Sequence, residues 1–312
     1  MNKNLLGAWW LATSLAAARG QGELVQPEAV PSHVLGGNRT VRVYLPPSYQ
    51  KPPERRFPVL YLHDGQNVFS SAGTNAGFGW GNWELDRTVD KLSAAGRMQE
   101  IIMVAVDNSP ARMEEYSGRL DSTKGSAQTN STAANSPFAN YATFLITELK
   151  PRIDRQYRTE PGAAHTGVMG SSLGGICSLA LAWEHPEVFG RAGSLSGAFQ
   201  AQSVNFSPAV LAPYHGKPKP IRIYLDSGSR DFTGGDDGRA LTARAAEELH
   251  RIGWGKELFY YLDAKPLTLE ELAKTGLRQD KWPEAQTSQH NEFYWRLRAW
   301  RALTFLFPAG DL

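Results

Sequence analysis

The hydrophobic positions of this chain gather into short runs separated by longer amphipathic or polar stretches. Seven runs have the length of β-strands, at residues 40–45, 58–62, 101–106, 164–169, 192–195, 221–225 and 257–262. Several of them are continuously apolar rather than alternating, which is typical of strands covered on both faces. The pattern predicts an α/β fold with a mostly parallel central sheet and helices on both faces.

Helical periodicity fills the intervals between these runs. The apolar residues of 241–252 fall on one helical face, and Gly253 follows as a stop signal. Residues 141–149 carry a similar apolar stripe, and a last helical run covers residues 293–307. The helices and strands together predict one α/β domain.

We expect this domain to cover residues 38–312 and to follow a polar linker at residues 21–37. Two stretches are predicted to be insertions. Residues 121–137 are rich in Ser, Thr, Asn and Gln and cannot bury a core of their own. Residues 265–289 precede the last helical run and contain a Thr-x-x-Glu capping box, which predicts a short helix.

The first 20 residues resemble a secretory signal peptide. Lys3 precedes a 14-residue apolar stretch from Leu5 to Ala18 that ends in small residues. A membrane span needs about 20 apolar residues, and no later segment is long enough either. We therefore expect a secreted or periplasmic protein without a membrane span; the alternative is a frayed N-terminal helix.

Composition and charge narrow the possible partners. The chain has 312 residues, with 33 Lys and Arg against 31 Asp and Glu, and the basic residues form no cluster. A nucleic-acid-binding surface needs clustered basic residues, so we expect no nucleic-acid partner. Cys177 is the single cysteine, which excludes an intrachain disulfide. The oligomeric state stays open.

The most informative motif follows the apolar run at residues 164–169. It reads Gly170-Ser-Ser-Leu-Gly174 and matches the G-x-S-x-G nucleophile elbow, in which a strand turns sharply into a helix. Of its two serines, only Ser172 has glycine at both required positions. Ser172 is therefore the candidate nucleophile.

A serine nucleophile needs a histidine as general base, and in α/β hydrolases this histidine comes last in the chain. Three histidines follow Ser172 with a strand between. His250 falls within the predicted helix at 241–252, and His215 precedes the run at 221–225, which is too early for this order. His290 follows the last strand and is the predicted base.

The acid of the triad is expected after the run at residues 221–225. Both Asp226 and Asp231 could serve, and we favour Asp231 because a glycine-containing turn precedes it and can redirect the chain towards the histidine. Asp236 and Asp237 are expected to be solvated. The stretch lacks the alternating ligand spacing of a calcium loop, so no metal and no cofactor are predicted.

An oxyanion hole requires two N–H donors. The backbone N–H of Leu173, directly after the nucleophile, is the first candidate. The second is the N–H of Gln66, because the loop that follows the run at residues 58–62 turns at Gly65. The alternative for this loop is an ordinary turn between a strand and a helix.

Aromatic residues near these motifs are candidates for substrate contacts. We expect Trp80, Tyr116 and Trp282 to lie at the rim of the site, where they would suit a phenolic or sugar group. Trp83 is expected to pack in the core. Phe78, which follows the same loop as Trp80, could also line the site, and core packing is the alternative for it and for the others.

Seven blocks of sequence extend this reading to a known family. They are Arg42–Tyr49 (RVYLPPSY), Val59–Asn67 (VLYLHDGQN), Trp83–Asp86 (WELD), Glu148–Tyr157 (ELKPRIDRQY), Gly170–Gly175 (GSSLGG), Asp226–Asp231 (DSGSRD) and His290–Trp295 (HNEFYW). With these blocks the chain resembles the Putative esterase family of α/β hydrolases, which includes enterochelin esterases, S-formylglutathione hydrolases, feruloyl and acetyl-xylan esterases and mycolyltransferases. The enterochelin-esterase-like group is the nearest branch.

The resemblance covers residues 38–308 and implies a triad of Ser172, Asp231 and His290. The chain departs from the family pattern at Gln289, where the family often has glycine, and at residues 265–289, where it usually has a short loop. We expect these departures to affect substrate access more than chemistry.

The motifs therefore predict an exported serine esterase that acts on a small-molecule or carbohydrate-linked ester, such as a phenolic, acetyl-sugar or siderophore-type ester. Two alternatives remain. An acyltransferase would form the same acyl-enzyme and pass it to an alcohol, and a binding protein could keep the fold without the reaction.

Overall fold

The apolar runs assemble into one nine-stranded sheet in a computed structural model that describes residues 20–118, 136–199 and 206–310. The strands are β1 Glu23–Leu24, β2 Glu28–Ser32, β3 Gly37–Leu45, β4 Val59–Leu62, β5 Ile102–Val106, β6 Thr166–Ser171, β7 Arg191–Leu195, β8 Arg222–Ser227 and β9 Leu258–Leu262. Their spatial order is β1-β3-β5-β4-β6-β7-β8-β9, and β2 also pairs with β3. Strands β4 to β9 are parallel, and β3 runs antiparallel to β5.

All seven predicted strands are present, each end within three residues of its predicted position. Every residue of β4, β5, β6 and β7 is buried, which explains why their sequences are not alternating. The predicted α/β-hydrolase fold with a mostly parallel sheet is confirmed.

The predicted linker at residues 21–37 is instead part of the sheet. Strand β2 pairs antiparallel with β3, from Glu28 opposite Val41 to Ser32 opposite Gly37. Pro31 donates no hydrogen bond, and it is tolerated because β2 is a short edge strand. The prediction was wrong because proline within a polar stretch indicates a linker, whereas an edge strand buries only alternate residues such as Val30 and Ser32.

The helices cover both faces of the sheet. They are α1 Ala76–Gly79, α2 Leu85–Ala94, α3 Arg112–Glu115, α4 Pro137–Thr143, α5 Lys150–Gln156, α6 Leu173–Glu184, α7 Arg239–Ile252, α8 Leu269–Ala273, α9 Trp282–Ala285 and α10 Glu292–Leu306. Short 3-10 helices span Pro47–Gln50, Gly65–Asn67, Ser70–Ala72, Ala163–His165 and Gln279–Lys281, and π-helical turns span Phe144–Leu149 and Ser207–Leu211. Helix α7 corresponds to the helix predicted at residues 241–252. It ends at Ile252, and Gly253 follows as its C-cap with a φ of 117°, which suits glycine.

Two hydrophobic clusters lie on opposite faces of the sheet. One joins the sheet to α4, α5, α6 and α7 through side chains such as Tyr141, Leu179 and Leu249. The other joins it to α2 and α10 through side chains such as Val89 and Leu303. This three-layer arrangement holds the carboxyl ends of the parallel strands at one edge, where binding sites of α/β folds form.

The insertion at residues 265–289 is an ordered part of the domain. The predicted capping box is present, because the Thr268 side chain accepts from the Glu271 backbone N–H and the Glu271 carboxylate accepts from the Thr268 backbone N–H. Leu272 and Ala285 form a small hydrophobic cluster with the first turn of α10. The insertion therefore packs beside the residues that follow His290.

Two predicted segments fall largely outside the described residues. These are the signal peptide, of which residues 1–19 are not described, and the polar insertion, of which residues 121–135 are not described. Ser136 and Pro137, at the end of that insertion, begin α4, where the Ser136 side chain caps the helix. Across the described ranges, we find no helix with the length and apolar character of a membrane span.

Candidate active site

The predicted nucleophile elbow has the geometry that its glycines require. Ser172 lies between β6 and α6 with φ 53° and ψ −124°, a strained conformation for a non-glycine residue. A Cβ atom at Gly170 would lie 2.7 Å from the backbone of Gly174, so the turn excludes any larger residue there. This backbone conformation presents the Ser172 side chain to a cleft that His290 also lines.

Ser172 and His290 are brought together across 118 positions of sequence. The Ser172 Oγ lies 3.0 Å from the His290 Nε2, and the His290 Nδ1 lies 2.5 Å from the Asp237 Oδ1. A neutral imidazole that donates from Nδ1 to the carboxylate leaves Nε2 free to accept the serine proton. The arrangement can therefore activate Ser172 as a nucleophile.

The carboxylate beside His290 belongs to Asp237 and not to the predicted Asp231. The Asp231 carboxylate closes its own turn, because its Oδ1 accepts hydrogen bonds from the backbone N–H groups of Thr233, at 2.8 Å, and Gly235, at 3.0 Å. This turn carries the chain back towards the sheet, and Asp237 is the acidic residue that reaches the histidine. The prediction of Asp231, from the glycine-containing turn and from the resemblance, is corrected.

Asp237 is fully buried and not solvated as expected. Its Oδ2 accepts from the Ser196 hydroxyl and from the Gly228 backbone N–H, both at 2.5 Å, while its Oδ1 faces His290. Buried carboxylates are retained where their oxygens are hydrogen-bonded. The loop that follows β8 covers residues 228–238 and is called the β8 loop here. The only sequence signal for Asp237 is its place at the end of this loop, immediately before Gly238, the N-cap of α7.

Asp226, the other candidate acid, does not contact His290 and instead forms a buried ion pair with Arg298. Its side chain is fully buried, lies 3.2 Å from the Arg298 guanidinium and accepts from the Ser196 backbone N–H at 3.0 Å. Burial raises the pKa of Asp226, and the Arg298 charge opposes that effect. Arg298 also donates to the Ser196 hydroxyl at 2.6 Å, so this ion pair supports a side chain that holds Asp237.

The two candidate oxyanion donors each lie in the first turn of a helix. Leu173 is the first residue of α6, and Gln66 lies in the 3-10 helix Gly65–Asn67. Backbone N–H groups at these positions have no acceptor within their helix and are available to a ligand. Gly65 is required there, because a Cβ atom would lie 2.7 Å from the Ala105 backbone.

The Gln66 loop is held by a half-buried ion pair. Asp64 has a left-handed φ of 54°, and its carboxylate accepts two hydrogen bonds from Arg112, at 2.7 and 2.8 Å. Asn108 donates a third at 2.6 Å. These three bonds oppose the backbone strain at Asp64 and fix the direction in which the loop presents its N–H groups.

Ser172 and His290 open into a cleft of about 620 Å³. Its walls combine aromatic side chains with polar ones, and they include Asp64, Gln66, Asn67, Phe78, Trp80, Trp83, Asn108, Arg112, Phe232, Glu292 and Trp295. Among the described residues, no cluster of three or more His, Cys, Asp or Glu side chains could hold a metal ion.

Of the three predicted aromatic contacts, only Trp80 lines this cleft. Tyr116 is fully buried beneath the Gln66 loop, where its ring centroid lies 5.0 Å from that of His63. Trp282 packs in the small cluster of the insertion and donates to the Leu277 carbonyl at 2.9 Å. Trp83 is buried as expected, although its edge also reaches the cleft.

Phe78, for which both pocket lining and core packing were open, and Phe232, which was not predicted as a substrate contact, stand exposed at the cleft. Phe78 is 94 % exposed with a left-handed φ of 57°, and Phe232 is 77 % exposed with its ring edge-on to His290 at 5.9 Å between centroids. Exposed aromatic side chains beside a reactive serine are available to a substrate. Their exposure depends on loop conformation, which the sequence pattern does not indicate.

Comparison with known proteins places this site in a family. The profile of the Putative esterase family matches residues 32–302, which include all three members of the Ser172, His290 and Asp237 arrangement. The protein YbbA of Bacillus subtilis (strain 168) is 23 % identical over 243 residues, which cover 76 % of this chain and 82 % of YbbA. The endo-1,4-beta-xylanase/feruloyl esterase of Xylanibacter ruminicola is 28 % identical over 169 residues, covering 53 % of this chain and 20 % of that protein.

Solved structures share the fold. A ferulic acid esterase superposes with a TM-score of 0.62 at 18 % identity, over 92 % of this chain and 99 % of its own. The enterobactin esterase FES from Shigella flexneri superposes with a TM-score of 0.60 at 17 % identity, over 91 % of this chain and 58 % of its own. The extent of the profile match settles the relationship, and the chain belongs to the Putative esterase family of carboxylic ester hydrolases.

Proposed function

We propose that this protein is a serine esterase whose triad is Ser172, His290 and Asp237. The observation that supports the proposal is the continuous chain of hydrogen-bonding distances, 2.5 Å from Asp237 to His290 and 3.0 Å from His290 to Ser172. Each group has the chemistry that its position in such a chain demands.

In the proposed reaction, Ser172 Oγ attacks the ester carbonyl while His290 Nε2 takes the hydroxyl proton. The negative charge that develops on the carbonyl oxygen is stabilised by the backbone N–H groups of Gln66 and Leu173. His290 then gives its proton to the departing alcohol, and an acyl-enzyme remains on Ser172. A water molecule then gives a proton to His290 and attacks the acyl carbonyl carbon; the bond from that carbon to Ser172 Oγ breaks, Oγ takes the proton back from His290, and the acid is released. Asp237 keeps the imidazole in the productive tautomer throughout.

The proposed substrate is an ester with a planar or apolar portion. The cleft supports this through Phe78, Trp80 and Phe232, which offer ring faces or edges beside the nucleophile. Two relatives by fold or sequence carry the names ferulic acid esterase and feruloyl esterase, which is in keeping with an aromatic ester.

The proposal is tested by replacing the nucleophile. Ser172→Ala is expected to lower kcat on phenyl acetate by about a millionfold, because nucleophile and base act as one unit. Ser171→Ala is the matched control, since the neighbouring serine is buried at the end of β6, and it should keep most activity. A fluorophosphonate probe should label the wild type and not the Ser172 variant. Retention of activity by Ser172→Ala would overturn the proposal.

Hydrolysis, rather than acyl transfer to an alcohol, is the proposed outcome. Product analysis with added glucose and methanol as acceptors separates the two, because transfer would give new esters in place of free acid. The proposal also includes export, which rests on the sequence of residues 1–20. Finding the intact N-terminus on protein recovered from its native host would contradict it.

A further inference from the structure

Glu292 occupies an unusual position in the cleft. It is the first residue of α10, it is 8 % exposed, and its side chain lies against Gly77 on the opposite loop. A Cβ atom at residue 77 would lie 2.4 Å from the Glu292 Cδ. Glycine at this position therefore makes room for the carboxyl group, in addition to permitting the left-handed backbone there.

The Glu292 carboxylate has little of the hydrogen bonding that buried carboxylates require. Its one side-chain partner is the Asn67 amide, which donates at 3.3 Å, and in the part of the chain that the structure describes it forms no ion pair. Burial raises the pKa of Glu292 and the nearby Asp64 carboxylate acts in the same direction, while the Glu292 backbone N–H, His290 and Arg112 act against them. Asp64 and Asp237, by contrast, each accept three close hydrogen bonds. Glu292 thus retains acceptor capacity that faces the cleft.

Among the described residues that line the cleft, Glu292 has no ion-pair partner. Besides His290, the charged side chains that line the cleft are Asp64, Arg112 and Glu292. Arg112 is committed to Asp64 by its paired hydrogen bonds, so these two charges balance each other. Of the charges on these described lining residues, the one that remains is the carboxylate of Glu292, in a partly desolvated site where electrostatic interactions are strong.

We propose that Glu292 determines substrate specificity by charge. The cleft takes neutral or cationic esters, whose hydroxyl, amide or ammonium groups donate to Glu292, and it rejects esters that carry a carboxylate. The reason for rejection is repulsion between two poorly solvated anions, which lowers affinity more than a lost contact would. This inference rests on the proposed esterase function, because it concerns the same cleft.

A purely structural role for Glu292 makes a different prediction. An acidic residue in the first turn of α10 interacts favourably with the helix dipole, and its removal would then lower stability without changing selectivity. The N-cap itself is Asn291, whose side chain already accepts from the Tyr294 backbone N–H at 3.1 Å. Selectivity between matched substrates therefore separates the two roles.

The test uses two pairs of esters that differ only in charge. The pair 4-acetoxybenzamide and 4-acetoxybenzoate varies the alcohol side, and the pair methyl 4-carbamoylbenzoate and monomethyl terephthalate varies the acyl side. The wild type is expected to favour the neutral member of at least one pair by about tenfold or more in kcat/KM. Glu292→Gln, which keeps the shape and removes the charge, is expected to reduce that ratio about tenfold.

Glu270→Gln is the matched control, because it removes the same charge from an exposed position on α8 and should leave the ratio unchanged. Thermal unfolding of both variants shows whether they fold as the wild type does. If the wild type hydrolyses the neutral esters but the ratio is the same in Glu292→Gln, the inference is wrong and the esterase proposal stands. If the wild type hydrolyses none of the four esters, the proposed function fails and the inference fails with it.

Discussion

The two sides of the cleft differ in how completely their polar groups are paired. On the nucleophile side, Asp237, Asp64 and Asp226 each accept several hydrogen bonds; Asp226 lies on β8, and the other two lie in the loops that follow β8 and β4. On the wall where the start of α10 packs against the Gly77–Phe78 loop, Glu292 has one long hydrogen bond, and Phe78 is almost fully exposed. The groups of the proposed triad are thus already paired in the free protein, while the wall that carries Glu292 and Phe78 leaves groups open for substrate.

This difference has an energetic reason. Catalytic groups must be held in reactive geometry before the substrate arrives, and pairing them in advance removes the cost of organising them during the reaction. Groups that recognise a substrate must keep unused bonding capacity, at some cost in folding stability. Substitutions on the two sides should therefore affect different measurable quantities.

The largest expected effect separates the two aspartates of the β8 loop. Asp237→Asn should lower kcat on phenyl acetate by about 10⁴-fold, because an amide no longer stabilises the imidazolium or selects the tautomer. Asp231→Asn is the matched control on the same loop, and it should retain activity within a few-fold of the wild type. Equal losses in the two variants would mean that the loop as a whole, rather than the carboxylate beside His290, matters.

The next effect concerns stability beneath the nucleophile side. His63 is fully buried, its Nδ1 lies 2.9 Å from the Tyr141 hydroxyl, and its Nε2 has no hydrogen-bond partner among the described residues. Burial lowers the pKa of His63 from 6.5 to about 4. Between these values the unfolded chain binds a proton that the folded chain does not, so the folded state loses stability as the pH falls through this window.

From pH 7.5 to pH 5.0 this linkage is worth about 2 kcal/mol. Urea unfolding of the wild type and of His63→Gln at the two pH values measures it. The wild type should lose about 2 kcal/mol more free energy of unfolding on acidification than the variant, whatever the absolute stability of the variant. Parallel losses would show that His63 does not remain neutral in the folded protein.

The smallest effect is expected at the wall of the cleft that carries Phe78. Phe78→Ala should raise KM for aryl esters several-fold with kcat nearly unchanged, because the exposed ring contacts substrate without touching the reacting atoms. The free energy of unfolding should hardly change, since the side chain is 94 % exposed and buries almost no surface. Exposed Met113→Ala, on α3, serves as the control. An unchanged KM in the Phe78 variant would mean that this residue only faces solvent.

The sequence by itself determined much of the fold and identified Ser172 and His290, two members of the proposed triad. Continuous apolar runs identified seven of the nine strands, because strands buried on both faces leave a strong local signal. Ser172 was identifiable because its turn demands glycines two residues away on each side, and His290 because the chain order of the fold leaves one candidate. Both signals are local or topological, so a linear pattern carries them.

Only the tertiary structure decided which aspartate faces His290 and which aromatic side chains line the cleft. Asp226, Asp231 and Asp237 lie within 12 positions of one another, but their carboxylates point to different partners. Asp226, on β8, faces Arg298, Asp231 closes its own turn, and Asp237 faces the histidine. In the same way, Tyr116 is buried beneath the Gln66 loop, whereas Phe78 is exposed to solvent, although both residues follow strands that end at the cleft. Loop geometry depends on contacts between distant parts of the chain, and those contacts have no signature in local composition.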